Sequence, residues 1–301
     1  MLVPFAALAA NLGLIGGDVG NVAIYGDSMS NEGNPGTCEW CDPLSDAGIN
    51  VWVMAQGGAR TYDDDTVDPN ACQSATYQGC QFYGERMVSY LDGSCRRDYG
   101  AAVYPGDTTQ TTCVTDLPLS AQTVDVFFFG ANDVGNVNLS SWGVIYRARS
   151  LAAWEVMLDA SDAAGHANVI VLGPPYIRND LGHDESDDVL VDLHDALRTE
   201  CASRPRCEIA DTYSAFRAVE AAYGSAEMYE MYEVGDDCPA TSCVHPADGP
   251  TTNGIRPREL VGGVILNAIR RANDKRIAGN SPAPASNTWD SGVWDTAEWG
   301  A

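Results

Sequence analysis

Lysine is almost missing from this chain: Lys275 is the only one in 301 residues. Lys and Arg together number 17 against 42 Asp and Glu, giving a formal net charge of −25 and a sequence pI near 4.2. A protein this poor in cations cannot clamp phosphates along a backbone, which argues against nucleic acid as a partner. An anionic membrane surface would repel it too. The Asp-rich, Lys-poor balance fits either a salty habitat or a genome that favours Arg codons. Long apolar runs are also absent. Residues 1–17 are apolar but too short to span a bilayer. They lack a basic start, so no complete signal peptide is visible, although Ala7-Leu8-Ala9 fits the end of a trimmed one or a loosely packed leader. Histidine is scarce as well, with 4 residues, which confines the search for a general base.

Cysteine is plentiful, with 10 residues. They fall into neighbouring pairs: Cys38/Cys41, Cys72/Cys80, Cys95/Cys113, Cys201/Cys207 and Cys238/Cys243. An even count in Gly-, Asp- and Thr-rich loops points to disulfides and to a secreted or periplasmic location. Cys38-x-x-Cys41 has a zinc-like spacing, but no second Cys-x-x-Cys completes four ligands, so no metal site is assigned. Asp63-Asp64-Asp65 with Asp68 could hold calcium but reads better as a solvated acidic loop.

Apolar patterning gives an alternating order of strands and helices. Val22–Tyr25, Ile49–Met54, Thr123–Phe129, Asn168–Leu172 and Cys207–Ala210 read as strands. Ser141–Ala164, Ser186–Ser203, much of Thr212–Glu233 and Arg258–Ile277 read as helices. This order implies an α/β protein with a parallel sheet of about five strands covered on both faces. Residues 1–20 form a leader, 21–278 the domain and 61–119 a loop-rich insertion stapled by bridges, with one helix near Phe82–Leu91. Residues 279–301 are a Pro/Ala linker and a tail carrying Trp289, Trp294 and Trp299 among acids.

Three strands run into Gly-rich loops: Gly26-Asp27-Ser28, Gly57-Gly58 and Gly130-Ala131-Asn132-Asp133. In a parallel sheet these loops share one edge, where ligands bind. Ser28 offers a hydroxyl nucleophile, a Gly backbone allows close approach, and Asn132 offers an amide donor for a developing oxyanion. Among the histidines, His166 precedes a strand and falls at the opposite edge, and His194 lies within a helix and reads as a surface residue. His183 follows the fourth strand in an acidic segment. His245, in the loop before the last helix, is the best base.

These segments resemble the SGNH hydrolases, also called the GDSL esterase/lipase family. Gly26-Asp27-Ser28-Met29-Ser30 matches the first block, Gly58 the second-block glycine, Gly130-Ala131-Asn132-Asp133 the third, and Val244-His245-Pro246 the last. The resemblance implies a three-layer α/β/α, flavodoxin-like fold and ester hydrolysis through an acyl-serine. It further implies an oxyanion hole from the Ser28 N–H, the Gly58 N–H and the Asn132 side chain, with no cofactor. The family places an Asp three residues before the His, and here that position is Ser242. Asp236, Asp237 and Asp248 are the nearby carboxylates, and Asp237 is taken as the third member; a Ser–His dyad is the alternative. Asn253-Gly254-Ile255-Arg256-Pro257 imitates the last block with Arg in place of His, and Arg cannot act as a base. There is no G-x-S-x-G elbow around Ser28.

The sequence thus points to a serine esterase acting on short-chain or acetyl esters, carbohydrate esters among them. Tyr176 and Ile177 are expected to line the substrate pocket, while Phe127-Phe128-Phe129 belongs to the core. The competing reading is a catalytically inactive module of the same fold that binds carbohydrate or attaches to a surface. Oligomeric state is not legible.

Overall fold

In the computed structural model, the described residues are 19–30, 38, 40–55, 61, 122–134, 139–175, 177–178, 186–233, 238 and 242–280. The expected leader up to residue 18, the insertion beyond Thr61 with its helix, its acidic Asp63–Asp68 run and Cys72, Cys80, Cys95 and Cys113, and the Trp-rich tail lie outside them.

The apolar runs form the strands. β1 (Asn21–Gly26), β2 (Asn50–Ala55), β3 (Gln122–Phe128), β4 (Ala167–Leu172) and β6 (Cys207–Asp211) make one five-stranded sheet in the order β2-β1-β3-β4-β6. Every pairing in it is parallel. A second, two-stranded antiparallel sheet joins β5 (Ile177–Arg178) to β7 (Ser242–Cys243), which the sequence pattern did not announce. The helices are α1 (Asp42–Asp46), α2 (Ala131–Val134), α3 (Arg147–Ala163), α4 (Ser186–Ala202), α5 (Thr212–Tyr223), α6 (Ser225–Tyr229) and α7 (Pro257–Asn280). The helix expected over Ser141–Ala164 is composite. A turn at Leu139–Ser141 passes through a π-helical segment, Trp142–Tyr146, before α3 begins. The helix expected through residue 233 breaks at Gly224, whose φ of +91° suits glycine.

Side chains alternate across the strands, and each set packs into its own core. On one face Val22, Ile24, Val124, Val126, Phe128, Val169 and Val171 meet Trp40 and Leu44, Phe216 of α5 and the Val261, Ile265 and Ile269 stripe of α7. On the other, Ala23, Tyr25, Phe127, Ile170 and Leu172 meet Trp154, Met157 and Leu158 of α3 and Val189, Leu193 and Leu197 of α4. The result is a three-layer α/β/α, flavodoxin-like fold. The Phe127–Phe129 run is core, as expected; Phe127 and Phe129 both meet the Trp154 ring edge-on. Cys38–Cys41, Cys201–Cys207 and Cys238–Cys243 are disulfides, in the neighbouring pairs expected.

One histidine departs from expectation. His194, read as a surface residue, is 2% exposed, and neither ring nitrogen has a hydrogen-bond partner. It faces inward because α4 carries its apolar stripe through this position, and its ring meets Tyr213 edge-on. Burial, then the nearby Arg198, push its pKa from 6.5 down to about 3, with Asp211 pulling the other way. A base whose folded pKa is depressed contributes stability that is intact above the unfolded value and lost as pH falls towards the folded one. Chemical denaturation of a His194→Leu variant should therefore show a flatter acid limb between pH 6.5 and about 3 than the wild type. An unchanged limb would show that His194 does not drive acid destabilisation.

The α7–α1 contact gives a second test. A Cβ added at Gly262 would lie 2.2 Å from the Trp40 carbonyl and 2.9 Å from the Pro43 ring, whereas one at Gly263 meets nothing within 4 Å. Gly262→Ala should lose roughly 1–3 kcal/mol by overpacking. Gly263→Ala should gain up to about 1 kcal/mol of helix propensity. Urea denaturation of the pair reads the contrast in sign.

Candidate active site

β1 ends at Gly26, which pairs with Phe128 of β3. A Cβ at Gly26 would fall 2.9 Å from the Phe128 carbonyl and 2.9 Å from Ser30 Oγ, so glycine is needed for this close approach. The next N–H, on Asp27, donates to that Phe128 carbonyl at 3.3 Å. The chain then tightens into a 3₁₀ turn, Ser28–Ser30, closed by Ser30 N–H donating to Asp27 O at 3.1 Å. Trp40 Nε1 donates to the Met29 carbonyl at 3.2 Å and fixes the turn from outside. Ser28 is partly exposed at the carboxyl edge of the sheet, between two buried neighbours.

His245 reaches the same edge. Its Nε2 lies 3.0 Å from Ser28 Oγ. The segment carrying it is tied on several sides. Cys243 is bonded to Cys238 and pairs with Ile177. The His245 carbonyl accepts from Glu233 N–H at 2.9 Å, and Ala247 N–H donates to Met231 O at 2.7 Å. Arg258 Nε donates to Pro246 O at 3.2 Å while its other arm pairs with Glu233 at 2.7 Å. Tyr232, buried in this ladder, donates its hydroxyl to Pro175 O at 2.6 Å.

Asn132 is the second residue of α2, two positions after Gly130, whose φ is +130°. Its Nδ2 is buried and has no hydrogen-bond partner, an uncommon state for an amide. Asp133 beside it is fully engaged: Oδ1 accepts from Thr61 N–H at 2.9 Å and Oδ2 from Thr61 Oγ1 at 2.7 Å. This carboxylate thereby pins the chain that follows β2 to the start of α2.

Asp27, to which the sequence gave no role of its own within the Gly26-Asp27-Ser28 loop, is completely buried. Its Oδ1 accepts from Met29 N–H at 2.9 Å, and its Oδ2 has no partner. Burial raises its pKa from 3.8 to about 7; Asp133 adds to the rise, while the Met29 N–H, His245 and the Asn132 amide favour the charged form. Asp27, Met29, Phe128, Phe129, Ala131, Gly173, Pro174, Leu190 and Val244 line a recess of about 10 Å³. That is room for about one water molecule.

The remaining candidates separate. His166 sits at the opposite edge, where its Nδ1 lies 3.0 Å from Asp125 Oδ2, an oxygen that also accepts from Ser161 Oγ at 2.5 Å. Asp248 is exposed and lies 3.5 Å from Arg258. Arg256 is exposed and pairs with Glu259 at 3.2 Å, so the Asn253–Pro257 imitation of a last block forms the entry to α7. Asn253 is held there by the buried Glu227, at 2.8 Å to its side-chain amide and 3.0 Å to its N–H. Ser242 is in β7, opposite Arg178. Gly58, Tyr176, His183, Asp236 and Asp237 lie outside the described residues, and of Ile177 only the backbone is described, paired with Cys243. Among the described residues no cluster of His, Cys, Asp and Glu has the makings of a metal site, and no helix is long and apolar enough to cross a membrane.

No family model matches the chain, and neither does any curated protein. Solved structures do. An acetylxylan esterase from Geobacillus stearothermophilus is similar over 85% of this chain and 96% of its own, at 12% identity and a TM-score of 0.49. A protein provisionally named an SGNH hydrolase, from Slackia heliotrinireducens, is similar over 83% and 99%, at 17% identity and a TM-score of 0.46. The C-terminal catalytic domain of a peptidoglycan O-acetyltransferase from Streptococcus pneumoniae is similar over 85% and 95%, at 15% identity and a TM-score of 0.44.

The Thr61–Asp133 clamp gives a direct test. Asp133→Ala would strip two bonds from the buried Thr61, leaving its N–H unpaired, and should cost roughly 1–3 kcal/mol in urea denaturation. A loss within error of zero would show that the clamp holds nothing.

Proposed function

We propose that the chain is a serine ester hydrolase of the SGNH type. The observation that carries this reading is the 3.0 Å separation of Ser28 Oγ and His245 Nε2 at the sheet edge. That geometry suits a nucleophile and its base. With its proton on Nδ1, His245 accepts the Ser28 proton at Nε2 as Oγ attacks the ester carbonyl. The Asn132 amide, still without a partner, the Ser28 N–H and the Gly58 N–H then receive the oxyanion. Collapse expels the alcohol, which takes the proton from His245. Water, deprotonated by the same imidazole, attacks the acyl-serine and releases the acid. Asp237 is the carboxylate assigned to orient His245. The chemistry requires no cofactor.

Short-chain or acetyl esters, including those on carbohydrates, are the proposed substrates. Three disulfides among the described residues support an oxidising, extracytoplasmic setting. The inactive-module reading drew on Ser242 at the position of the acid and on Arg256 replacing a base; the exposed Arg256–Glu259 pair and the His245–Ser28 contact speak against the second of these.

Hydrolysis of p-nitrophenyl esters across acyl lengths is the test. Rates should be highest for acetate, vanish in Ser28→Ala, and fall by roughly 10²–10³ in kcat for Asn132→Ala. Unchanged rates in both variants would overturn the mechanism.

A further inference from the structure

Two buried polar atoms at this edge stand unpaired although their chemistry is complementary. Asp27 Oδ2 can only accept when ionised, and Asn132 Nδ2 can only donate. They belong to neighbouring strand ends: Asp27 N–H is bonded to Phe128 O, and Asn132 follows Phe128 by four residues. Ala131 and Asp27 line the same recess. The Asn132 amide lies close enough to act on the Asp27 carboxyl as a side-chain hydrogen-bond donor and favours its ionised form, although the contact falls short of a well-formed hydrogen bond. The other groups facing Asp27 are committed elsewhere. Asp133 is held by Thr61, Met29 N–H is held by Oδ1, and His245 lies on Ser28.

A buried carboxylate oxygen left without a partner costs free energy, so its retention beside the nucleophile calls for a use. A primary amide carries two N–H groups. If one is taken by a fixed acceptor, the direction of the other is set. This is the way outer partners aim the groups that touch a reacting centre.

We propose that Asp27 is a positioning residue for Asn132: its free Oδ2 takes one Nδ2 hydrogen and thereby aims the second at the oxyanion formed on the Ser28 adduct. Asp27 touches no substrate in this account; it acts through Asn132. Its own place is fixed by the Met29 N–H bond and by complete burial, so it can direct the amide without moving. The inference rests on the hydrolytic reading of the site.

The test is a double-mutant cycle with p-nitrophenyl acetate, comparing wild type, Asp27→Asn, Asn132→Ala and the double variant, with Ser28→Ala alongside. Asp27→Asn is nearly isosteric and keeps an acceptor for Met29 N–H, but turns a second donor towards Asn132. It should lower kcat by roughly 10-fold to 100-fold with KM little changed. In the Asn132→Ala background the same change should cost less than about twofold, because the group it acts through is gone. Foldedness is read separately. A carboxyl whose folded pKa is raised loses stability as pH rises through that value, so Asp27→Asn should melt no lower than wild type at about pH 8. Wild-type kcat in Asp27→Asn would overturn the proposal. So would an equal fold-loss in both backgrounds, since that places the effect on another group. Full activity in Ser28→Ala would instead remove the hydrolytic reading beneath it.

Discussion

Everything at the candidate site depends on one contact, Ser28 Oγ to His245 Nε2, made between residues 217 apart in the chain. Closing so long a loop is entropically costly and must be supported by structure at both ends. At the serine end the support is the junction of β1 and β3, where Gly26 admits the Phe128 carbonyl and the 3₁₀ turn lifts Ser28 from the buried edge. At the histidine end it is a web of ties, comprising the Cys238–Cys243 bridge, the β5–β7 pair, the Tyr232–Pro246 bridge and the Arg258 fork between Pro246 and Glu233. No single tie is large. Together they leave His245 little freedom except towards Ser28.

Buried carboxylates do much of the local work. Asp133 joins the segment after β2 to the head of α2 through Thr61. Glu227, also buried, gathers Thr251 and Asn253 to shape the approach to α7. Asp125 holds Ser161 and His166 beneath the opposite edge. Each is hydrogen-bonded, as buried charge requires. Asp27 differs: one of its oxygens is unpaired, and burial pushes its pKa to about 7. A chain rich in acid and poor in lysine cannot neutralise such groups by pairing each with a cation. Hydroxyls and N–H groups take that part instead.

The strands were legible because each is a continuous apolar run, and their parallel pairing followed from their alternation with helices; the order of the strands in the sheet did not. The edge holding the Gly-rich loops followed from the same pattern. The β5–β7 ladder was not legible, since two residues per strand carry no periodicity. The π-helical turn at Trp142–Tyr146 was hidden because its spacing nearly matches that of a helix; there Trp142 Nε1 donates to Asp192 at 2.7 Å. His194 was read as a surface residue because it lies within a helix, yet its position falls on the apolar stripe of α4. Asp27 was visible as a letter in a motif, but its burial arises only when three strand ends converge. Disulfide neighbours in sequence were readable for Cys38–Cys41, Cys201–Cys207 and Cys238–Cys243, because short separations leave few other partners.

The central claim is that Ser28 is a nucleophile made reactive by His245. The most direct measurement is exposure of the folded protein to a fluorophosphonate, followed by intact-mass analysis and peptide mapping, with His245→Ala treated in parallel. The account predicts a single adduct on Ser28 in the wild type and very slow or no labelling in His245→Ala. An unlabelled Ser28 in the folded wild type, or equal labelling without the imidazole, would contradict it.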